Sequence, residues 1–535
     1  MKRLSAIALT GSLLLSGAAG SVAAATKWIR AESDHFVVYS NVNAKATEAY
    51  VRNLEKYRYV IGAFYRRSGE DAVPEPKLNL YFVDNHSDFK QVWPDVSLRI
   101  GGFVRICSNG MAGYSLYGGD SIRDASKIER QEENSSQTII FHEYAHMFMF
   151  QNSRVAYPRW FVEGFADYYG STRVQDDQAV VGMASSGRVR ELMSGGSLRY
   201  EDILRGSPNT RNMNNMSAFY AQSWLLTHWI MADPVRSKAF SGYLAARNAG
   251  GDPVTAFEAA FGVPVKKLDS TLSSYMRGLK ATIYRLRDMP DPRVTLTTLP
   301  ASADKLLLWD SGVRSCLGND YKPEVLTRIK TEAVRYPGDD YVRGVVARAD
   351  LLLGDEALAL DYYLNYTKAN PNDSEGFFRL GQTWFLMAEH DKLAPNETRD
   401  SQMKKARAAL GKAYALDPLN AVNLYYLSRA GVKGPNYPDD NTVNAAIEAH
   451  NLAPSVPEFA LHASRLLIMK GRLEDARYTL LPLANNPHGG SFAEWVASVV
   501  AAIDAGKSKD EVQSLINSRP KKDADDDAKD DKKSK

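Results

Sequence analysis

Two histidines four residues apart, His142 and His146, bracket Glu143, Tyr144 and Ala145. On an α-helix, positions i and i+4 share a face, so both imidazoles can point at one metal ion. Glu143 lies about 100° around the helix axis from His142. There it can sit beside the ion without binding it and take a proton from water held at the ion. The flanks are apolar, with Ile139, Ile140 and Phe141 before the motif and Met147, Phe148, Met149 and Phe150 after it. Such flanks imply a buried helix, in which two histidines and a glutamate are costly unless a cation neutralises them. The pentapeptide alone arises by chance in roughly one of a hundred chains of this size. The downstream sequence therefore decides. Residues 157–169 begin a second helix, with Pro158 at an initiating position. Glu163 and Asp167 again stand at i and i+4. If the second helix folds back on the first, Glu163 completes a His-His-Glu set with a fourth position open to water. Asp167 can then accept the free ring N–H of a ligating histidine, most simply His142.

The run HEYAH, followed by WFVEGFADYY, resembles the gluzincin metallopeptidases, in particular bacterial peptidase-MA-like domains. The resemblance is strong over residues 137–170 and looser over about 28–285, where HFVVYS and the run Tyr220, Ala221, Gln222, Ser223 look like family features. It implies an α+β zincin-like metallopeptidase unit, with Zn2+ held by His142, His146 and Glu163, and with Glu143 as general base and acid. It also implies that Asp167 supports a histidine, as in thermolysin-like and aminopeptidase-like enzymes. The ion would polarise a scissile carbonyl and lower the pKa of its water to about 7. The oxyanion so formed needs a further donor. Tyr220 is the candidate, because related enzymes place a tyrosine or histidine on a helix downstream of the glutamate ligand; core packing is its competing role. His228, eight residues on, is a second candidate for the same face. One departure concerns the aminopeptidases, which carry a glycine-rich strand with a glutamate that holds the substrate's amino terminus. The comparable run here, Gly101, Gly102, Phe103, Val104, Arg105, has no acidic residue, which weakens an aminopeptidase reading. Arg105 is either solvated on an edge strand or set to meet a substrate carboxylate.

Hydrophobic periodicity gives the framework around these residues. Phe36 to Tyr39, Leu78 to Val83 and Phe103 to Ile106 read as strands, with a helix through Ala49, Leu54, Tyr57, Val60 and Ile61 between the first two. The expected catalytic unit spans 26–290, α/β to about 130 and helical beyond. Residues 183–216, rich in Gly, Ser, Asn and Met, read as a long surface loop and a candidate lid, and 265–289 as a helical hairpin. Residues 291–330 read as a linker, opened by Pro290, Asp291 and Pro292. Over 331–517 the texture is helical, punctuated by Pro337, Pro371, Pro418, Pro454 and Pro487 at spacings of 34, 47, 36 and 33 residues. A period near 34 is that of tetratricopeptide-type helix pairs. Leu380, Gly381, Trp384, Ala406, Leu410 and Ala413 stand where that repeat packs its helices, and an insertion around 389–402 accounts for the long interval. Residues 518–535, almost all Lys and Asp, read as a disordered tail.

Lys2 and Arg3, an apolar run to about Ala19 and the small residues up to Ala25 describe a secretory signal peptide over 1–25. The run is shorter than the ~20 apolar residues that span a bilayer. The expected location is thus outside the cytoplasm, most simply a bacterial periplasm. There Cys107 and Cys316 can be bonded or remain buried thiols. Hydrophobic residues at 44 % and charged residues at 24 % exclude a largely disordered chain. A net charge of +3, two units of it in the leader, gives no charge-based case for nucleic acid. The expected function is hydrolysis of peptide bonds in a peptide or protein substrate, with the repeats as a surface for substrate or a protein partner and no membrane span in the mature chain. Two alternatives stay open: a non-enzymatic envelope scaffold with a structural ion, and a zinc amide hydrolase acting on a non-protein substrate.

Overall fold

The computed structural model describes residues 28–66, 75–97, 100–116, 136–152, 155–184, 186–194, 196–206, 208, 213–486 and 489–518. The expected signal peptide and the tail beyond Ser518 lie outside the described residues. The chain is mixed α/β in its N-terminal part and helical over a long C-terminal region. Among the described residues no helix is long and apolar enough to cross a membrane.

The N-terminal part is organised by a six-stranded sheet. Its strands are β1 (Ile29–Glu32), β2 (Phe36–Ser40), β3 (Leu78–Val83), β4 (Gly102–Cys107), β5 (Gly110–Leu116) and, far along the chain, Thr295–Thr298. Across the sheet the order is β4, β5, β3, β2, β1 and then Thr295–Thr298, with β2–β3 and β3–β5 parallel and the other pairs antiparallel. A strand buried on both faces reads as a near-continuous apolar run, and β3, sequence LNLYFV, is such a run. Its Leu78, Leu80 and Phe82 join the core beneath α1 (Ala44–Arg66) and α2 (Ser136–Gln151). Tyr81 and Val83 point into the opposite core, as the two-residue period of a strand requires. On that second face Tyr39, Tyr81, Tyr114 and Phe103 form a cross-strand ladder with ring centroids 5.0, 5.1 and 4.9 Å apart.

Behind α2 come α3 (Arg159–Gly170), then β6 (Arg173–Val174) and β7 (Gln178–Val181), α4 (Ser186–Ser194), α5 (Tyr200–Leu204), α6 (Met213–Met231), α7 (Pro234–Asn248), α8 (Pro253–Phe261), α9 (Val265–Met276) and β8 (Thr282–Arg285). Strands β6, β7 and β8 make a second, three-stranded sheet. Two expectations are corrected here. The stretch 183–216 is not one loop, because its described residues include α4 and α5. The expected hairpin 265–289 ends its helix at Met276 and continues as β8, which pairs with β7.

The expected linker 291–330 is corrected as well. Its Thr295–Thr298 is strand β9, paired with β1 in the large sheet. Next, α10 (Ala303–Arg314) buries Leu307 and Leu308 against the aromatic ladder. Tyr114 shares hydrogen bonds with Ser311 and Ser315 at 2.5 and 2.7 Å. Cys316 is bonded to Cys107, which settles the cysteine question in favour of a disulfide. Arg105 is half-buried and donates to the Ser315 and Cys316 carbonyls at 3.4 and 3.3 Å.

From α11 (Lys322–Ala333) to α21 (Lys509–Asn517) the described residues form consecutive helices, each packed on the next. Pro371, Pro418 and Pro454 fall in the connections before α14 (Ser374–Glu389), α16 (Ala421–Arg429) and α18 (Pro457–Met469). Gly381 and Leu410 meet closely between α14 and α15 (Arg399–Leu416). This helical array is fastened to the large sheet. Arg348 donates to Asp310 at 2.6 and 3.0 Å, Arg314 reaches Asp310 at 3.3 Å and Glu375 at 3.5 Å, and Arg379 donates to Glu375 at 2.9 Å. Gln382 closes the chain of contacts on Asn109, in the turn between β4 and β5, at 3.5 Å.

Candidate metal centre

Helix α2 is apolar almost all round, and Ile140, Phe141, Tyr144, Ala145, Phe148 and Met149 are buried. Such a helix belongs inside, and its position is set on several sides. On α1, Tyr57 stacks on Phe141 with centroids 3.8 Å apart and donates its hydroxyl to the Phe141 carbonyl at 2.7 Å. Helix α3 lies against α2, with Gly170 facing the backbone of His142. A Cβ built there would stand 3.2 Å from the Cβ of His142. On its other side α3 meets α6 at Gly164, where a Cβ would come 2.1 Å from the Thr227 hydroxyl and 2.3 Å from the Ser223 carbonyl oxygen. Only a residue without a side chain lets the two helices meet there.

This packing brings the expected ligands together. Nε2 of His142 and Nε2 of His146 are 3.1 Å apart. Oε2 of Glu163 lies 3.7 Å from the first and 3.6 Å from the second. Glu163 is fully buried. Among the described residues this is the group of His, Cys, Asp and Glu side chains whose donor atoms gather closely enough to hold an ion. A tetrahedral ion with bonds of about 2.0–2.1 Å sets its ligand atoms about 3.3–3.4 Å apart. The three observed separations straddle that value, so two imidazoles and one carboxylate suit zinc in donor type and in spacing.

Asp167 takes the expected place. Its Oδ1 accepts from Nδ1 of His142 at 3.0 Å, so Nδ1 keeps its proton and Nε2, which faces His146 and Glu163, is the nitrogen left to bind an ion once its own proton departs. A residue the sequence reading missed completes the arrangement. Arg188 on α4 donates to both oxygens of Asp167, from Nε at 2.8 Å and Nη2 at 3.2 Å, and from Nη1 to Glu191 at 2.9 Å. Its guanidinium also lies over the Tyr220 ring, 5.1 Å from the centroid. The signal for it was faint: an arginine with a glutamate three residues on, inside a stretch of loop-like composition.

The charges act on one another strongly. Burial opposes a positive charge on His142, but the hydrogen bond to Asp167 and the charges of Asp167, Glu143 and Glu163 prevail and lift its pKa to about 9. For Asp167, burial works upward, yet Arg188 and His142 hold its carboxyl below the usual range. Tyr220 on α6 is pushed up, first by burial and then by Glu163 and Asp167, with Glu143 adding to the effect. Its hydroxyl is thus a protonated donor within the field of the site. Glu143 is half-buried on α2 beside His142. His228 is not brought to the site. Its ring nitrogens bond Tyr275 and the Gly182 carbonyl, each at 2.8 Å, in a fully buried position.

Residues 136–248 match a family model described as Protein of unknown function (DUF1570). The match runs from the start of α2 to the end of α7, so it takes in both helices of the centre, Arg188 and Tyr220. No curated protein matches the chain.

Proposed function

We propose that the chain is an exported zinc metallopeptidase of gluzincin type, built from a zincin-like unit and a tetratricopeptide-like helical array. The observation that carries the reading is the meeting of His142, His146 and buried Glu163 at the edge lengths of a tetrahedron, with Glu143 on the same helix. Zinc bound there would supply a Lewis acid for a carbonyl oxygen and make water acidic near neutral pH. The protein's own groups do the rest. Glu143 accepts a proton from the attacking water and passes it to the leaving amine. Asp167, clamped by Arg188, fixes the tautomer and the tilt of His142. Tyr220, kept protonated by burial and by neighbouring carboxylates, donates to the oxygen on which negative charge develops. The Cys107–Cys316 bond supports an oxidising compartment and, with the leader, a periplasmic location. The helical array then serves as a surface for a protein substrate or partner.

The test is Glu143→Gln. The substitution keeps size and removes the base, so zinc content stays at one per chain while peptide hydrolysis falls by about 10²–10⁴-fold. Unchanged hydrolysis by the variant, or hydrolysis by neither protein across a peptide library, removes the enzymatic reading. A scaffold with a structural ion is what then remains.

A further inference from the structure

His228 stands outside the metal centre, yet the fold ties it to the centre from behind. It is fully buried on α6 among Trp224, Tyr168 and Tyr275, whose ring centroids are 5.6, 5.4 and 5.7 Å from its own. Its Nε2 lies 2.8 Å from the Gly182 carbonyl, which can only accept, so Nε2 carries the proton. Burial pushes the pKa of His228 down and that of Tyr275 up to about 12. The imidazole is therefore neutral, and its Nδ1 accepts from the Tyr275 hydroxyl at 2.8 Å, with the His228 carbonyl further from that hydroxyl at 3.4 Å. One ring thus joins α9, α6 and the end of β7.

Gly182 is the joint at which the chain leaves β7 for α4. Its φ is +69°, and a Cβ there would stand 2.4 Å from the ring of Tyr168, the neighbour of Asp167 on α3, so only glycine fits. Arg188 follows in the first turn of α4 and reaches Asp167 from Nε at 2.8 Å and from Nη2 at 3.2 Å. Met183, Ala184, Gly187 and Arg188 also wall a cavity of about 370 Å³ that His142 and Asp167 line from the other side. The stretch whose composition suggests a lid is therefore pinned at its root.

Taking His142, His146 and Glu163 as a zinc site, as the proposed function does, we propose that His228 is a positioning residue for that site. By holding the Gly182 carbonyl it sets where α4 begins, and so how squarely Arg188 meets Asp167 and how firmly Asp167 orients His142. A residue that only filled the core between α6, α9 and β7 would need volume; a positioning residue needs a donor at the place of Nε2.

The experiment uses the full-length protein with three substitutions. His228→Gln keeps an N–H near the place of Nε2, His228→Asn keeps an acceptor near Nδ1 alone, and His228→Phe keeps the ring and neither bond. Zinc Kd, from chelator-buffered titrations, should weaken roughly tenfold in the Phe and Asn variants and less than about threefold in the Gln variant. In an Arg188→Gln background, where the positioned contact is already gone, His228→Phe should change Kd by less than about twofold. In the metal-free protein, amide hydrogen exchange of α4 should quicken about tenfold in the Phe and Asn variants while that of α2 stays as it was. If His228→Phe does not fold, the Gln and Asn variants carry the comparison. A Gln variant as weak as the Asn variant, an equal loss of affinity with and without Arg188, or unchanged exchange in α4 would overturn the positioning role. Failure of the zinc site reads differently. Wild-type protein that takes up no zinc removes the metal, and exchange in α4 then decides by itself whether His228 anchors the helix.

Discussion

The proton on His142 and a metal ion compete for the same imidazole, and the structure sets the strength of that competition. With its pKa lifted to about 9, His142 is almost wholly protonated at neutral pH in the metal-free protein. Ligation requires that proton to leave, so zinc affinity should rise by roughly 50-fold, about 2.3 kcal/mol, between pH 7 and pH 9. Stability of the metal-free protein runs the other way. A histidine raised from 6.5 to about 9 contributes stability that is fully present below pH 6.5 and is lost as pH rises through 9. The loss amounts to about 3 kcal/mol for this one group. The zinc-loaded protein, with the proton already displaced, escapes it. The gap in urea midpoint between loaded and metal-free protein should therefore widen steadily from pH 6.5 to 9. Chelator-buffered zinc titrations at each pH measure the affinity. Calorimetry in buffers of different ionisation enthalpy counts the released proton, close to one per zinc at about pH 7. An affinity flat across that range, or no proton released, would refute the reasoning by showing that Asp167 does not hold His142 in its charged form.

Three other outcomes arise from the packing. Asp167→Asn leaves only an uncharged acceptor for Nδ1 of His142 and strands the charge of Arg188; zinc affinity measured at about pH 9 should fall about 10–100-fold, and urea unfolding should report a loss of about 3 kcal/mol. Tyr220→Phe should lower kcat about 10²-fold with KM and zinc content nearly unchanged, whereas a packing role would instead lower the melting temperature and leave kcat alone. Gly164→Ala forces a methyl group into the Thr227 hydroxyl and the Ser223 carbonyl. Denaturation should show a loss of about 1–3 kcal/mol, with weakened zinc binding because α3 carries Glu163.

Much of the centre was legible because its information is local. The pairs His142/His146 and Glu163/Asp167 each sit on one helix at one-turn spacing, and apolar neighbours announce both helices. Arg188 was not legible. Helix α4 has few apolar residues to mark it, and besides Val189 and Leu192 on the core it is held by the ion pair of Arg188 with a residue 21 positions earlier. The same distinction applies to the large sheet. Strand β3 could be read from its own composition, but β5, with sequence GMAGYSL, looks like a loop because its small residues make room for neighbouring elements. Strand β9 is four exposed residues whose strand character comes from pairing with β1, near the other end of the N-terminal part. Residues 291–330 read as a linker because Pro290 and Pro292 mark a break in periodicity. The chain beyond that break is nonetheless bound to the sheet by a disulfide and by α10.

The position of β1, between β2 and β9, also bears on how the molecule is made. On the ribosome β1 and β2 emerge almost at once, yet the flank of β1 stays bare until residue 298 has been synthesised. A growing polypeptide shorter than about 300 residues presents unpaired backbone along that flank, a template for unwanted association. Proteolytic or recombinant fragments stopping near residue 290 would inherit the same hazard. The shortest piece expected to behave well in solution extends past Cys316, where both the missing strand and its covalent clasp are in hand.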